Sequence, residues 1–264
     1  MRHVQVGNVD VFALVDNVIP YPATAVYPKA TDLSRFAHYF QPDGGVALNF
    51  GSFLLRDGNT LLLVDTGWGP ENNGRLLAEL AETGIAPADI TAVTFTHLHG
   101  DHTGWNFDRA SGKPLFASAT YLVPKADWDH YTSETPQPDS FTRDVQPLQE
   151  LGRLELISGE HTFSPSLTAV PTPGHTPGHT SVAIASGTER GFILGDVVIS
   201  PADTEDPQME NSFDWDHEIA RETRTKLLER LANDAPLVGA SHLPAPGLGH
   251  FVRLDNGTSW RPLP

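Results

Sequence analysis

A chain of 264 residues with a formal net charge of -16 presents a surface that repels phosphate backbones and anionic lipid, which argues against nucleic acid and membrane surfaces as partners. It holds no cysteine, so disulfides and thiolate metal ligands are both excluded. Its 23 glycines and 22 prolines favour many turns and short strands over long helices, at a length that one large domain with a sizeable core accommodates.

In chain order, residues 4–15 alternate loosely and read as an opening strand or hairpin turning at Gly7-Asn8. Residues 17–45 are rich in proline and aromatics (Tyr21, Tyr27, Phe36, Tyr39, Phe40). They read as a long loop, acting either as a lid or binding loop or packed on the core or at a subunit interface. The runs 49–56 and 60–65 flank Asp57-Gly58-Asn59, a hairpin signal, and the second ends in Asp65-Thr66-Gly67. Residues 75–83 have helical spacing and stop at Gly84. The β-branched run 90–96 predicts a buried strand that leads straight into His97.

A short strand over 121–123 and a helix over 125–131 follow, then a surface excursion over 132–147, marked by Pro136, Pro138 and Pro147. Strands are predicted over 154–157 and 167–170, and a hairpin pairs 181–185 with 191–194. The strongest helical pattern covers 217–231, with Ile219, Leu227, Leu228 and Leu231 as its apolar positions. Residues 237–239 read as the last buried strand. No linker divides the chain, so a single domain over 1–264 is expected. Neither a basic segment followed by an apolar stretch at the N-terminus nor a bilayer-length apolar run is present, which predicts a cytoplasmic protein.

The chemistry concentrates in Thr96-His97-Leu98-His99-Gly100-Asp101-His102-Thr103-Gly104. Three imidazoles and a carboxylate leave a predicted buried strand within a few positions, so a rigid scaffold can aim them at one point. Imidazole with carboxylate suits zinc, iron or manganese. A zinc needs about four ligands and a two-metal pair needs more. Three further strand ends offer candidates: Pro173-Gly174-His175-Thr176-Pro177-Gly178-His179, Gly195-Asp196 and Ser241-His242. The residues alone leave His175 and His179 as alternatives.

With this pattern the chain resembles the metallo-β-lactamase superfamily, over residues 49–251 and including the early Asp65-Thr66-Gly67. The resemblance implies an α/β (α+β) fold, the four-layer αββα sandwich, with metals at one edge between two sheets. It implies that His97, His99 and His175 bind a first metal, that Asp101, His102 and His242 bind a second, and that Asp196 bridges them. It favours His175 over His179, and it makes Asp65 the acceptor for the far N–H of a ligand histidine. The expected cofactor is two divalent ions, zinc first, with iron, manganese or cobalt as alternatives. A hydroxide shared by the two ions would be the nucleophile, and Asp101 would hold it and pass its proton to the leaving group.

Departures from the family's branches narrow the activity. β-Lactamases of this superfamily place a cysteine in the second site or lack the bridging aspartate, whereas this chain has no cysteine and has Asp196. Glyoxalase II adds a helical domain after its last ligand, and here 22 residues follow His242. RNase Z relatives need a basic face, and flavodiiron proteins need a flavin domain. The stretch from Ala240 to His250, and Asp214-Trp215-Asp216, are similar to the methyl parathion hydrolase and quorum-quenching lactonase branch. The expected reaction is hydrolysis of a lactone or other activated ester, with organophosphate triesters as promiscuous substrates.

The substrate would be a small, uncharged, partly apolar molecule, met by Trp68, Trp105, Phe50 and His250 near the site mouth. A homodimer is the expected protein partner. A glyoxalase II-like thioesterase and a β-lactamase-type amide hydrolase remain as alternatives. So do a mononuclear iron enzyme oxidising sulfur compounds and a non-catalytic metal-binding module.

Overall fold

The computed structural model describes residues 1–255 and 257–264. The first seven strands pair in chain order into one sheet: β1 (Arg2–Val6), β2 (Val9–Pro22), β3 (Gly45–Asp57), β4 (Thr60–Val64), β5 (Ala92–Thr94), β6 (Thr120–Pro124) and β7 (Leu154–Ile157). Neighbours are antiparallel up to β4 and parallel from there on. A second sheet takes β8 (His161–Ser164), β9 (Leu167–Pro171), β10 (Thr180–Ser186), β11 (Glu189–Ile193), β12 (Leu237–Gly239), β13 (Leu248–Leu254) and β14 (Gly257–Pro262), again in chain order. Only its β11–β12 pair is parallel.

Period-two alternation divides the side chains of the first sheet between two cores. Val11, Ala13, Phe53, Leu55, Leu62 and Val64 face the second sheet, where they meet Leu167, Val182, Ile184, Ile193 and Leu248. Their neighbours Phe12, Leu14, Leu54 and Leu63 face outward, into a core shared with helices. Both faces are therefore covered, which is why Leu61-Leu62-Leu63-Val64 is apolar without interruption.

The helices are α1 (Ala23–Val26), α2 (Leu76–Glu82), α3 (Gly100–Thr103), α4 (Lys125–Ser133), α5 (Asp139–Asp144), α6 (Gln146–Glu150), α7 (Pro201–Glu205) and α8 (His217–Asp234). On the outer face of the first sheet lie α2, α4, α5 and α6, anchored by Leu80, Trp128, Tyr131, Phe141 and Leu148. Helix α8 covers the second sheet with Leu227, Leu228 and Leu231 against Phe192, Val238, Phe251 and Trp260. Asp216 caps it, accepting from the backbone N–H groups of Glu218 and Ile219, both at 3.0 Å. The layers run α, β, β, α. Among the described residues no helix is long and apolar enough to cross a membrane.

Four stretches depart from the sequence reading. Residues 17–22 continue β2, so the proposed long loop shrinks to 23–44, and that part is anchored: Val26, Tyr27 and Phe36 pack with Ile199, Ala202 and Met209. The excursion over 132–147 carries α5 and the start of α6, and Phe141, Val145 and Leu148 form a fully buried stripe along them. Two of its three prolines start helices rather than breaking them, Pro138 preceding α5 and Pro147 sitting in the first turn of α6. The hairpin between β10 and β11 turns at Gly187-Thr188 alone, with Ser186 paired to Glu189. Two more strands, β13 and β14, follow the predicted last one and close the edge of the second sheet.

Candidate metal centre and cavity

Every candidate ligand leaves the end of a strand. His97 and His99 follow β5, and the single turn of α3 carries Asp101 and His102. His175 lies between β9 and β10, Asp196 in a 3-10 turn after β11, and His242 between β12 and β13. The two sheets thus deliver all seven side chains to one edge. His99 Nδ1 lies 2.9 Å from His97 Nε2 and 3.0 Å from His175 Nε2. Asp101 Oδ2 lies 3.5 Å from His102 Nε2 and 3.4 Å from His242 Nε2. Between these groups sits Asp196 Oδ2, at 2.9 Å from His242 Nε2, 3.4 Å from His102 and His175 Nε2, and 3.7 Å from His97 Nε2.

The outer nitrogens explain the orientation of the inner ones. His97 Nδ1 is 3.1 Å from Thr96 Oγ1, whose hydroxyl donates to Asp65 Oδ2 at 2.8 Å. His102 Nδ1 meets Asp65 Oδ2 at 2.9 Å, His175 Nδ1 meets Asp214 Oδ1 at 3.1 Å, and His242 Nδ1 meets the Asn49 carbonyl at 2.8 Å. Each outer nitrogen donates its proton to oxygen, so each Nε2 aims a lone pair inward. Lone pairs facing one another repel unless a cation lies between them.

Further observations fit divalent ions. His102 Nε2 and Asp196 Oδ1 are buried without a hydrogen-bond partner. Donors of a tetrahedral zinc, at bond lengths of about 2.1 Å, stand about 3.4 Å apart, close to the separations above. The donor atoms fall into three overlapping groups: His97, His99 and His175; His97, His102 and Asp196; and Asp101, His102 and His242.

Electrostatics point the same way. Burial pushes the His97 imidazole far below its usual range and His99 down to about 3, which leaves both neutral and fit to ligate. Burial also disfavours the ionised forms of Asp101 and Asp196, yet the surrounding imidazoles hold both carboxyls below the usual carboxylate range. Burial works against protonating His102 and His242, yet Asp196 and then Asp101 raise both imidazoles above their usual range, so the cluster favours positive charge at its centre.

His179 does not join the cluster. Its Nδ1 sits 3.1 Å from the Thr172 carbonyl, and its Nε2 accepts the Asp196 backbone N–H at 3.0 Å. Burial lowers it to about 3, so it acts as a neutral acceptor that fixes the main chain of Asp196. Gly195 is required there: its φ is +63° and a Cβ would come within 2.7 Å of His179 Nε2.

Two carboxylates outside the cluster hold its loops. Asp65, in the left-handed region at φ 62°, accepts from the Thr96 backbone, the Thr96 hydroxyl and His102. Asp127 accepts from Leu98 N (3.2 Å), Thr176 Oγ1 (2.9 Å) and Gly178 N (2.6 Å), tying the two histidine-bearing loops together. Burial raises Asp127 to about 6. Nothing local along the chain marks Asp127, which sits inside a predicted helix. Replacing Asp65 by alanine is expected to lower metal affinity about 10- to 100-fold, read by chelator competition, because it releases the far nitrogen of His102 and the support of His97.

A cavity of about 450 Å³ opens onto the cluster, with His99, Asp101, His175, Asp196 and His242 on its floor. Its walls include Tyr21, Leu48, Phe50, Trp68, Ile199 and Phe213. Phe50 stacks on Trp68 at 4.4 Å and meets the edge of His242 at 5.1 Å. Of the four candidate pocket residues, Phe50 and Trp68 line the cavity and Trp105 and His250 do not. The Trp105 indole turns inward, donating to Asp16 Oδ1 at 2.9 Å. Asp16 also accepts from the backbone of Trp68 and Leu76, so Trp105 braces the loop that presents Trp68. His250 is on β13, with Nδ1 2.8 Å from the Pro236 carbonyl. Leu48, Ile199 and Phe213 went unnoticed in the sequence, because nothing local separates an apolar cavity wall from an apolar core.

Two facing sheets sheathed by helices, with a histidine and aspartate cluster where their strands end, define a metallo-β-lactamase-type metalloprotein. The family model described as the metallo-beta-lactamase superfamily matches residues 52–242, and the chain belongs to that family. A solved structure of AbOPH, described as a hydrolase in the beta lactamase superfamily, is 26% identical with a TM-score of 0.88, covering 99% of this chain and 97% of that one. The dizinc quorum-quenching lactonase AidC, solved with a product, N-hexanoyl-L-homoserine, has the same identity and TM-score, covering 100% of this chain and 97% of its own.

Among curated relatives, an N-acyl homoserine lactonase of Bacillus cereus is 24% identical over 175 residues, 64% of this chain and 62% of the relative. Metallo-beta-lactamase domain-containing protein 1 of Xenopus laevis is 34% identical over 157 residues, 59% of this chain and 53% of the relative. The matched part therefore spans between half and two thirds of these two relatives.

Proposed function

We propose that the chain is a dinuclear metal-dependent hydrolase acting on a lactone or another activated, uncharged ester. The observation that carries this reading is the placement of His99, Asp101, His175, Asp196 and His242, five of the seven cluster residues, on the floor of an apolar cavity whose lining contains no lysine or arginine. Two divalent ions held there, zinc foremost, would supply Lewis acidity and an ionised water at neutral pH. His97, His99 and His175 would hold one ion, Asp101, His102 and His242 the other, and Asp196 both.

The protein's own groups complete the chemistry. Asp101 is one-fifth exposed through its side chain while the imidazoles keep it ionised. It is thus placed to take a proton from the nucleophile and pass it to the leaving alkoxide. Phe50 and Trp68 keep water from that side of the reacting carbonyl and strengthen every charge interaction on the floor. Tyr21 places a hydroxyl near Asp101, where burial and then the Asp101 charge raise its pKa, so it stays a neutral donor.

The lactonase named among the solved structures supports the ester reading, and its reported dizinc state supports the metal. A glutathione thioester or a β-lactam carries a carboxylate, and neither would meet a lysine or arginine in the lining of this cavity. Intact donor groups for two ions favour hydrolysis over a mononuclear iron oxidase and over a non-catalytic module.

The deciding experiment is a turnover panel of homoserine lactones, carboxylate-bearing β-lactams and paraoxon-type triesters, with elemental analysis on the same sample. Two metal ions per chain and preferred turnover of lactones are expected. One iron per chain, or full metal without turnover of any ester, would overturn the assignment.

A further inference from the structure

The ion position formed by His97, His99 and His175 draws on both sheets. His97 and His99 follow β5, whereas His175 lies between β9 and β10. Across that divide His99 Nδ1 and His175 Nε2 stand 3.0 Å apart. Donors of a tetrahedral zinc stand about 3.4 Å apart, so a small shift between the two loops decides whether an ion fits.

Asp127 sits where it can set that spacing. Strand β6 lies parallel to β5, so the two end at one edge, where β5 leads to His97 and β6 runs directly into α4. Trp128 and Tyr131 bury α4 in the outer core, which makes its first turn a fixed post. From that turn the fully buried Asp127 reaches both loops. Its Oδ2 accepts from the Leu98 N–H at 3.2 Å, between His97 and His99, and from the Thr176 hydroxyl at 2.9 Å, next to His175. One oxygen therefore holds a residue of each loop. Its Oδ1 accepts from the Gly178 N–H at 2.6 Å. The approach is close: a Cβ on Gly178 would come within 2.5 Å of the Asp127 backbone nitrogen.

The other ion position relies on different supports. His102 is held by Asp65 at 2.9 Å and His242 by the Asn49 carbonyl at 2.8 Å. Taking the dinuclear centre proposed above as its basis, we infer that Asp127 is a positioning residue that sets the affinity of the His97, His99 and His175 position and spares the other. Without its carboxylate the two loops are free to part, and the three imidazoles lose the spacing that an ion needs. A carboxylate that served the fold alone would weaken both positions together.

The test titrates full-length, metal-stripped protein with zinc alone against a competing chelator. The wild type should bind two ions. Removing a partner that orients ligands costs about 10- to 100-fold in metal affinity, and Asp127→Ala is expected to weaken one ion by about tenfold, since it acts through the backbone. The other ion should stay near its wild-type affinity. Cobalt(II) in place of zinc shows which ion is lost, because three imidazoles with one carboxylate and two imidazoles with two carboxylates give different visible spectra. The three-imidazole spectrum should be the one that fades.

Thr176→Val removes one of the three contacts at nearly constant shape. It should weaken the same ion by a smaller factor, and it carries the test if Asp127→Ala fails to fold. Added to Asp127→Ala it should cost almost nothing, because both act through one contact. Val145→Ala, a buried change in the same core, should lower the unfolding midpoint and leave both affinities alone. Equal weakening of both ions in Asp127→Ala, selective loss of the other ion, or wild-type affinities in Thr176→Val would each overturn the inference. The readout is independent of turnover. If two ions bind and no ester is hydrolysed, the hydrolase reading falls and the titration still decides the role of Asp127. If the wild type takes up a single ion, the dinuclear reading falls, and Asp127 keeps its role only if Asp127→Ala weakens that ion.

Discussion

Asp196→Ala is expected to strip bound metal and to lower kcat/KM by at least about 1000-fold, the largest loss of any single substitution in the chain. Loss of an outer partner of a ligand already costs about 10- to 100-fold in metal affinity, and Asp196 stands a step closer. Its Oδ2 is within 3.7 Å of four imidazole nitrogens and is common to both halves of the cluster. Without it the Nε2 atoms of His102 and His242 lose their nearest carboxylate oxygen, and each ion held there would lose an oxygen donor. The substitution creates no steric conflict, so far-ultraviolet circular dichroism should stay native while elemental analysis reports the loss. Asp196→Asn keeps the shape without the charge and should recover little. A fully metallated, active Asp196→Ala protein would show that this carboxylate does not bridge.

Arg224→Met should cost the most stability, about 3–5 kcal/mol, the usual consequence of breaking a buried ion pair from one side. Arg224 is fully buried on α8. It donates to Val197 O at 2.8 Å, Met209 O at 2.8 Å, Pro207 O at 3.3 Å and Asp214 Oδ2 at 2.8 Å. It thereby joins the turn of Asp196 to the segment bearing Ser212, Phe213 and Asp214, and Asp214 in turn holds the far nitrogen of His175. Methionine fills much of the volume but leaves three carbonyls and a carboxylate short of donors. Denaturant unfolding should show the lowered midpoint. KM should rise as Phe213 loosens, because that ring lines the cavity above the cluster. Arg224→Lys keeps the charge without the planar fork and should fall between the two. A Met variant as stable as wild type would remove Arg224 from this role.

How much of this was readable beforehand depended on distance along the chain. His97, His99, Asp101 and His102 are neighbours in sequence after a β-branched run, so their convergence required only a rigid strand behind them. His175, Asp196 and His242 are isolated residues at strand ends. Geometry could nominate them, but only the family resemblance could gather them, and it also separated His175 from His179. Residues that act by tertiary contact stayed hidden. Trp105 looks like any exposed-loop aromatic until Asp16 is seen to take its indole proton, and Asp127 looks like a surface position of a short helix. Pro138 and Pro147 suggested an irregular stretch because a proline that starts a helix and one that breaks it look alike when the helix lasts barely one turn. The apolar stripe of Phe141, Val145 and Leu148 was the overlooked clue, at helical spacing across both prolines.

The donor atoms come from both leaves of the sandwich. His97, His99, Asp101 and His102 hang from the first sheet, and His175, Asp196 and His242 from the second. Ions seated among them would therefore rivet one leaf to the other at an edge where the apolar filling gives way to polar side chains. Occupancy by metal then becomes part of the mechanical integrity of the molecule, since whatever binds only the closed form deepens its free-energy well. Metal supply would set how long the protein lasts as well as how fast it works.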